Sequence, residues 1–164
     1  MNTLLLFITR TIFLLIPDIR GFKCKRFLLR LSGARIGKNV RICSSVHIIG
    51  NGNLTIGDNT WIGHENLIVC SADIIIEQNV NIAPRCYIGT GTHEIDPEGV
   101  SIAGCGKSLP ITIGNGAWIC ANSTIIAGSV IGEKAIVAVG SIVKGEVKKY
   151  EIVGGGLAKH IRFI

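Results

Sequence analysis

The chain has 164 residues and a formal net charge of +6; hydrophobic residues make up 48% of it and aromatic residues only 5%. That length fits one domain with short appendages, and so few aromatics among frequent Gly and Asn argue against a helical bundle and for a narrow all-β interior. Six cysteines lack CxxC or paired-histidine spacing, which argues against a zinc site or a disulfide framework and for reduced fillers in a cytosolic protein.

The charge is unevenly placed. Residues 1–41 carry nine Lys/Arg against one acid, Asp18, and the remainder carries eight against ten. A basic arm on a nearly neutral body suits either a solvated face or a surface that meets phosphates or anionic lipid. Residues 1–31 are expected to form an N-terminal apolar and basic helical segment. Its apolar run, Leu4 to Ile16, is too short to span a bilayer and is broken by Arg10. It shows neither a basic residue ahead of the run nor a small-residue cleavage site after it, so a secretory signal is not expected. Two roles remain open: packing on the end of the body, or lying in a membrane interface with Arg20, Lys23, Lys25 and Arg26 beside lipid phosphates.

Residues 32–146 are built on a six-residue period. Ile36-Gly-Lys-Asn-Val-Arg-Ile42, Ile56-Gly-Asp-Asn-Thr-Trp-Ile62, Ile76-Glu-Gln-Asn-Val-Asn-Ile82, Ile113-Gly-Asn-Gly-Ala-Trp-Ile119 and Ile131-Gly-Glu-Lys-Ala-Ile-Val137 align, with starts 20, 20, 37 and 18 residues apart. This spacing predicts a solenoid whose coil is three hexapeptides. The first residue of each hexapeptide is aliphatic and should point inward, each burial stabilising by roughly 1.5 to 3 kcal/mol. The fourth is often Asn or Gly, which tolerate positive φ at a sharp corner. The fifth is small or β-branched and suits the inside of that corner. Three flat sides closed by tight corners give a prism of stacked parallel strands, a parallel β-helix.

The long spacing is where the array is interrupted. Ile88-Gly-Thr-Gly-Thr-His93-Glu94 ends one side, and a polar segment over 94–110 intervenes before the repeats resume at Ile111. A loop insertion is expected there, with His93 at its root, and residues 147–164 are expected to form a short tail or helix.

With these blocks in view, the chain resembles the hexapeptide-repeat acyltransferases, close to galactoside, maltose and polysaccharide O-acetyltransferases, over about Leu31 to Arg162. The more specific matches are Thr92-His93 before a loop, Pro110-Ile-Thr-Ile-Gly leading into Ala117-Trp-Ile-Cys-Ala-Asn-Ser-Thr-Ile125, Gly140-Ser-Ile-Val143, and Val153-Gly-Gly-Gly-Leu-Ala-Lys-His-Ile-Arg162. The resemblance implies an all-β, left-handed parallel β-helix, a homotrimer, and acetyl-CoA bound in the cleft between neighbouring prisms, with no metal. His93 matches the family's general base. An imidazole with its ordinary pKa of about 6.5 offers a neutral base near pH 7. Trp118 and Glu65 match positions that line the acceptor cleft, and Ala121 falls where a backbone N–H faces the developing oxyanion. Lys144, Lys159 and Arg162 fall where the family contacts the nucleotide end of the coenzyme, and a guanidinium can grip phosphate through two parallel bonds.

The chain departs from the family's usual Gly-Ala-Gly-Ser at Ala138-Val139-Gly140-Ser141, which places a bulkier Val139 beside the pantetheine channel. It also lacks the family's usual proline within Gly155-Gly156-Leu157-Ala158-Lys159, which bears on the path of the tail.

The expected reaction is acetyl transfer to a hydroxyl of a sugar or a surface-polysaccharide precursor, by direct attack in a ternary complex. An amino-sugar N-acetyltransferase and a non-catalytic glycan-binding β-helix are the alternatives. A zinc hydratase on the same scaffold is disfavoured, because His47, His64, His93 and His160 lack that class's paired spacing. No nucleic-acid partner is expected, and the setting is cytoplasmic, with peripheral contact at the inner face of the membrane open.

Overall fold

A computed structural model describes residues 1–156 and 159–163, the Ile161 side chain excepted. The hexapeptides form a left-handed parallel β-helix of about six coils. Each coil crosses three faces. The first face stacks Arg35–Ile36, Leu54–Ile56, Ile74–Ile76, Ile111–Ile113, Val130–Ile131 and Glu146–Val147. The second stacks Arg41–Ile42, Trp61–Ile62, Asn81–Ile82, Trp118–Ile119, Ile136–Val137 and Glu151–Gly154, and the third His47–Ile49, Leu67–Val69, Tyr87–Gly89, Thr124–Ile125 and Ile142–Val143.

The expected inward aliphatics are the core. On the first face Ile36, Ile56, Ile76, Ile113, Ile131 and Val147 lie in one parallel register. On the second face Ile42, Ile62, Ile82, Ile119, Val137 and Val153 do the same. All of these are buried. Strands this short gain little alone; burial of each aliphatic against the coil above and below holds the column together.

The corner from first to second face carries the positive-φ residues that the pattern predicts: Asn39, Asn59, Asn79 and Gly116. Asparagine does more than tolerate the conformation there. Asn39 donates to Asn59 at 3.3 Å, Asn59 to Asn79 at 3.4 Å, and Asn79 to Asn115 at 3.0 Å, a ladder along the prism edge. Inside that corner Val40, Thr60, Val80, Ala117 and Ala135 are fully buried.

The N-terminal segment forms two helices, α1 (Thr3–Phe13) and α2 (Phe22–Leu31). They close the open end of the prism by packing on strands of the first coil. Leu6, Phe13 and Leu29 supply the apolar contact. Lys25 is fully buried between them, and its ammonium donates to the carbonyls of Asp18 (2.6 Å) and Ile42 (3.1 Å). The packing role anticipated for this segment therefore belongs to one face of it.

At the other end the chain does not trail off. Lys159–Phe163 turns back and pairs antiparallel with Glu151–Gly154, ending the second face in a seventh strand. The His160 Nδ1 lies 2.6 Å from Glu151 Oε1, and the other carboxylate oxygen of Glu151 accepts from the Lys148 N–H. Leu157 and Ala158, where the family proline is missing, lie outside the described residues.

Candidate active site

The insertion after the third face is a β-hairpin. Gly91–Ile95 pairs antiparallel with Ala103–Ser108, and His93 sits opposite Gly106. Its root is fixed by Thr90, fully buried, whose hydroxyl accepts from the N–H groups of Ser71 (2.8 Å) and Ala72 (3.0 Å). The Leu109 N–H closes the neck onto the Thr90 carbonyl at 2.9 Å. His93 is exposed on this rigid stem, one strand pair out from the corner between third and first faces. Lys144 lies at the same corner two coils further on, and is also exposed.

The remaining expected residues gather elsewhere. On the outer surface of the second face, strand register places Arg41, Trp61, Asn81, Trp118, Ile136, Ile152 and Arg162 in one column. Trp118 is 50% exposed. Together with Trp61, Asn81, Ala83 and Pro84 it lines a cleft of about 430 Å³. Trp61 is steadied from the side by Arg41 over its ring at 5.1 Å and by Phe22 edge-on at 6.2 Å. Arg162 ends the column, and Lys159 pairs with Gly154 on the same terminal strand.

Next to this column runs the corner between second and third faces, which carries Glu65 in the second coil, Ala121 in the fourth and Val139 in the fifth. Glu65 adopts φ 56°, which the corner demands, and its carboxylate accepts from Arg85 Nε at 2.8 Å. At Ala121 the flanking amides are used, Cys120 N–H donating to Val137 O and Asn122 N–H to Pro84 O. The Ala121 N–H between them donates to no described residue, so it is available to an incoming oxyanion. Val139 is exposed at this corner, at 67%.

Thus Glu65, Trp118, Ala121, Val139, Lys159 and Arg162 share one side of the prism, while His93 and Lys144 stand at the edge opposite the second face. Within a single chain the imidazole and the tryptophan cleft face away from each other.

The same corner holds a group that the sequence did not disclose. His64 Nδ1 bonds the Asp18 carboxylate, which also accepts from the Ser45 N–H (2.9 Å) and the Ser45 hydroxyl. Burial would raise the Asp18 pKa, but the bonds from Ser45 and His64 outweigh it and hold the carboxyl below its ordinary range. Asp18 and His64 are 46 positions apart and belong to the helical cap and the second coil, so no local pattern links them.

Asp18, Cys43 and His64 approach one another within 4.8 Å, close enough to consider a cation. The chemistry opposes it. Burial pushes the Cys43 thiol up to about 11, and the Lys25 ammonium already supplies positive charge beside Asp18. Burial likewise pushes the Cys70 and Cys86 thiols up to about 11, consistent with inert fillers.

A pH dependence follows from the two depressed carboxyls. The Lys148 N–H, and then His160, hold Glu151 below its ordinary range against the opposing effect of burial. Both groups bind protons more weakly folded than unfolded, so their contribution is present above the unfolded pKa and is lost as pH falls through the folded one. Thermal midpoints should fall as pH drops below about 4, and an Asp18→Asn, Glu151→Gln double variant should show a flatter acid limb. Parallel acid limbs in wild type and variant would contradict this.

No protein-family model matches the chain. It is 32% identical over 152 residues to a putative colanic acid biosynthesis acetyltransferase, WcaF, of Escherichia coli, covering 93% of this chain and 81% of that one. It is 30% identical to the galactoside O-acetyltransferase of the same organism, over 84% of this chain and 67% of that one. A putative acetyltransferase of Saccharomyces cerevisiae is 37% identical over 68% of this chain, which spans only 57% of that relative's length. Among solved structures, a hexapeptide-repeat acetyltransferase of Vibrio cholerae complexed with acetyl coenzyme A superposes with a TM-score of 0.76 at 23% identity, over 98% of this chain and 86% of that one. A maltose O-acetyltransferase of Clostridium difficile gives 0.74 at 20%, over 99% and 86%. The chain belongs to the hexapeptide-repeat acyltransferase family, as an acetyltransferase.

Proposed function

We propose that the protein transfers an acetyl group from acetyl-CoA to a hydroxyl of a sugar or surface-polysaccharide precursor, in a site completed between copies of a homotrimer. The observation that carries the reading is the split just described. An exposed imidazole on a braced hairpin occupies one edge, and an aromatic cleft leading to an arginine occupies the opposite face. Side-by-side prisms related by threefold rotation bring the edge of one copy against the face of the next, so each groove acquires both halves.

In that groove the pantetheine arm lies along the second-face column. Its nucleotide end reaches Arg162, Lys159 and Lys144, whose positive charge suits phosphates. Trp118 and Glu65 contact the acceptor, and Val139 narrows the channel wall. His93 takes the proton of the acceptor hydroxyl as its oxygen attacks the thioester carbonyl carbon. The Ala121 N–H stabilises the oxyanion, and the C–S bond then breaks as His93 passes its proton to the leaving sulfur, giving the ester and the coenzyme thiol. The sugar acceptor is supported by the names of the relatives, a colanic acid biosynthesis acetyltransferase and a galactoside O-acetyltransferase. The six free cysteines suit a reducing, cytoplasmic setting.

A specific observation favours a second reading of the base. His64 is held by Asp18 through Nδ1, which leaves Nε2 to act on an acceptor at the same corner as Glu65 and Ala121. The direct test of the reaction is purified protein with acetyl-CoA and a panel of sugars and amino sugars, reading released thiol. Turnover with hydroxyl acceptors is expected; turnover confined to amino sugars would transfer the reading to N-acetylation, and thermal stabilisation by CoA without turnover on any acceptor would overturn it.

A further inference from the structure

The cap of the prism has a second face that the fold leaves uncovered. In α1 the buried residues Leu6, Thr9 and Phe13 line one side. Leu4, Phe7 and Ile8 occupy the complementary helical positions, Leu14 and Leu15 follow in the turn that ends the helix, and the most exposed of them, Leu15, stands at 83%. Ile19 continues this patch into the connection. The one polar residue within the stripe, Thr11, satisfies its hydroxyl internally by donating to the Phe7 carbonyl at 3.1 Å. Nothing in the stripe therefore demands water. The same segment carries exposed cations: Arg10 on α1, Arg20 in the connection and Lys23 in the first turn of α2. The segment's one acid, Asp18, is already engaged with Ser45 and His64.

From this geometry we infer that the outward face of the helical cap docks on an anionic lipid surface. The apolar stripe enters the interface and Arg10, Arg20 and Lys23 meet the phosphates. Neither helix is long and apolar enough to cross a membrane, so the cap lies on the bilayer while the prism projects from it. Charge decides against the rival occupant, a second copy meeting this face with its own. Such a contact would oppose Arg10, Arg20 and Lys23 of one cap to the same cations of the other. A lipid leaflet supplies apolar depth and negative charge together. The inference concerns the cap alone and does not rest on the acetyl-transfer reading.

The test is flotation of the full-length protein with vesicles of phosphatidylcholine alone and with about one third phosphatidylglycerol. Binding to the anionic vesicles is expected, at least tenfold above the neutral ones and weakened by salt. Phe7→Ser with Leu15→Ser should lower the partition coefficient tenfold or more. Both side chains are exposed, so circular dichroism and thermal midpoint should hold. Failure to float, equal binding of wild type and variant, or equal binding to neutral vesicles would overturn the proposal. So would a solution mass for the wild type above that of the variant, since the face would then be closing on another copy.

Discussion

Replacing His93 by alanine is expected to lower acetyl transfer by about a hundredfold or more while leaving oligomer mass and CoA binding intact. The side chain is exposed on the hairpin, and the brace beneath it runs through Thr90 and backbone bonds that the substitution does not touch. Activity in steady state, with sedimentation and CoA titration as controls, reads the effect. The same assay on His64→Ala distinguishes the two candidate bases. If His93 is the base, the His93 variant loses turnover at every acceptor concentration, whereas the His64 variant changes chiefly KM. The reverse pattern would give the proton transfer to the Asp18–His64 pair, and unchanged turnover in the His93 variant would remove it from the chemistry.

The second large effect lies in the scaffold. Ile56→Asp should unfold the prism, because Ile56 is 1% exposed and stacked between Ile36 and Ile76 in a buried aliphatic column. An unpaired carboxylate there costs upwards of about 4 kcal/mol, a large part of a domain's whole stability. Ile56→Val, which removes one methylene from the same column, should cost only about 0.5 to 1.5 kcal/mol. Circular dichroism and denaturant midpoints compare the two. A native spectrum and midpoint for the aspartate variant would mean that the column is not what holds the coils.

Placement of the candidate site was legible in unequal parts. His93 announced itself because it interrupts a strict period, and the registers around Trp118 follow from counting sixes. The insertion's conformation was not legible: 94–110 is rich in glycine and polar residues, as a loop would be, yet it pairs as strands over Gly91–Ile95 and Ala103–Ser108. Cross-strand hydrogen bonds use only backbone, so composition hides them. The terminal strand Lys159–Phe163 is hidden in the sequence for a related reason, since it follows the last hexapeptide and borrows its register from Glu151–Gly154. In the cap, packing on the body and lying in a membrane interface are not separable in one dimension, because apolar residues on both sides of the first helix look alike; in the fold Leu6 and Phe13 go in while Phe7 and Leu15 face out.

What the amino-acid order determined alone is the repeating part: three faces, inward aliphatics, asparagine at the corners, and the place where the array is broken. These are local rules, each satisfied within a few residues of where it is written, and stacking merely repeats them. What only the tertiary structure decided is which distant groups share an edge. Asp18 meets His64, Trp61 and Trp118 share a cleft, and His93 stands at an edge apart from both. Those relations depend on how many residues each coil spends before returning to the same face, and they become contacts only when the whole column is wound.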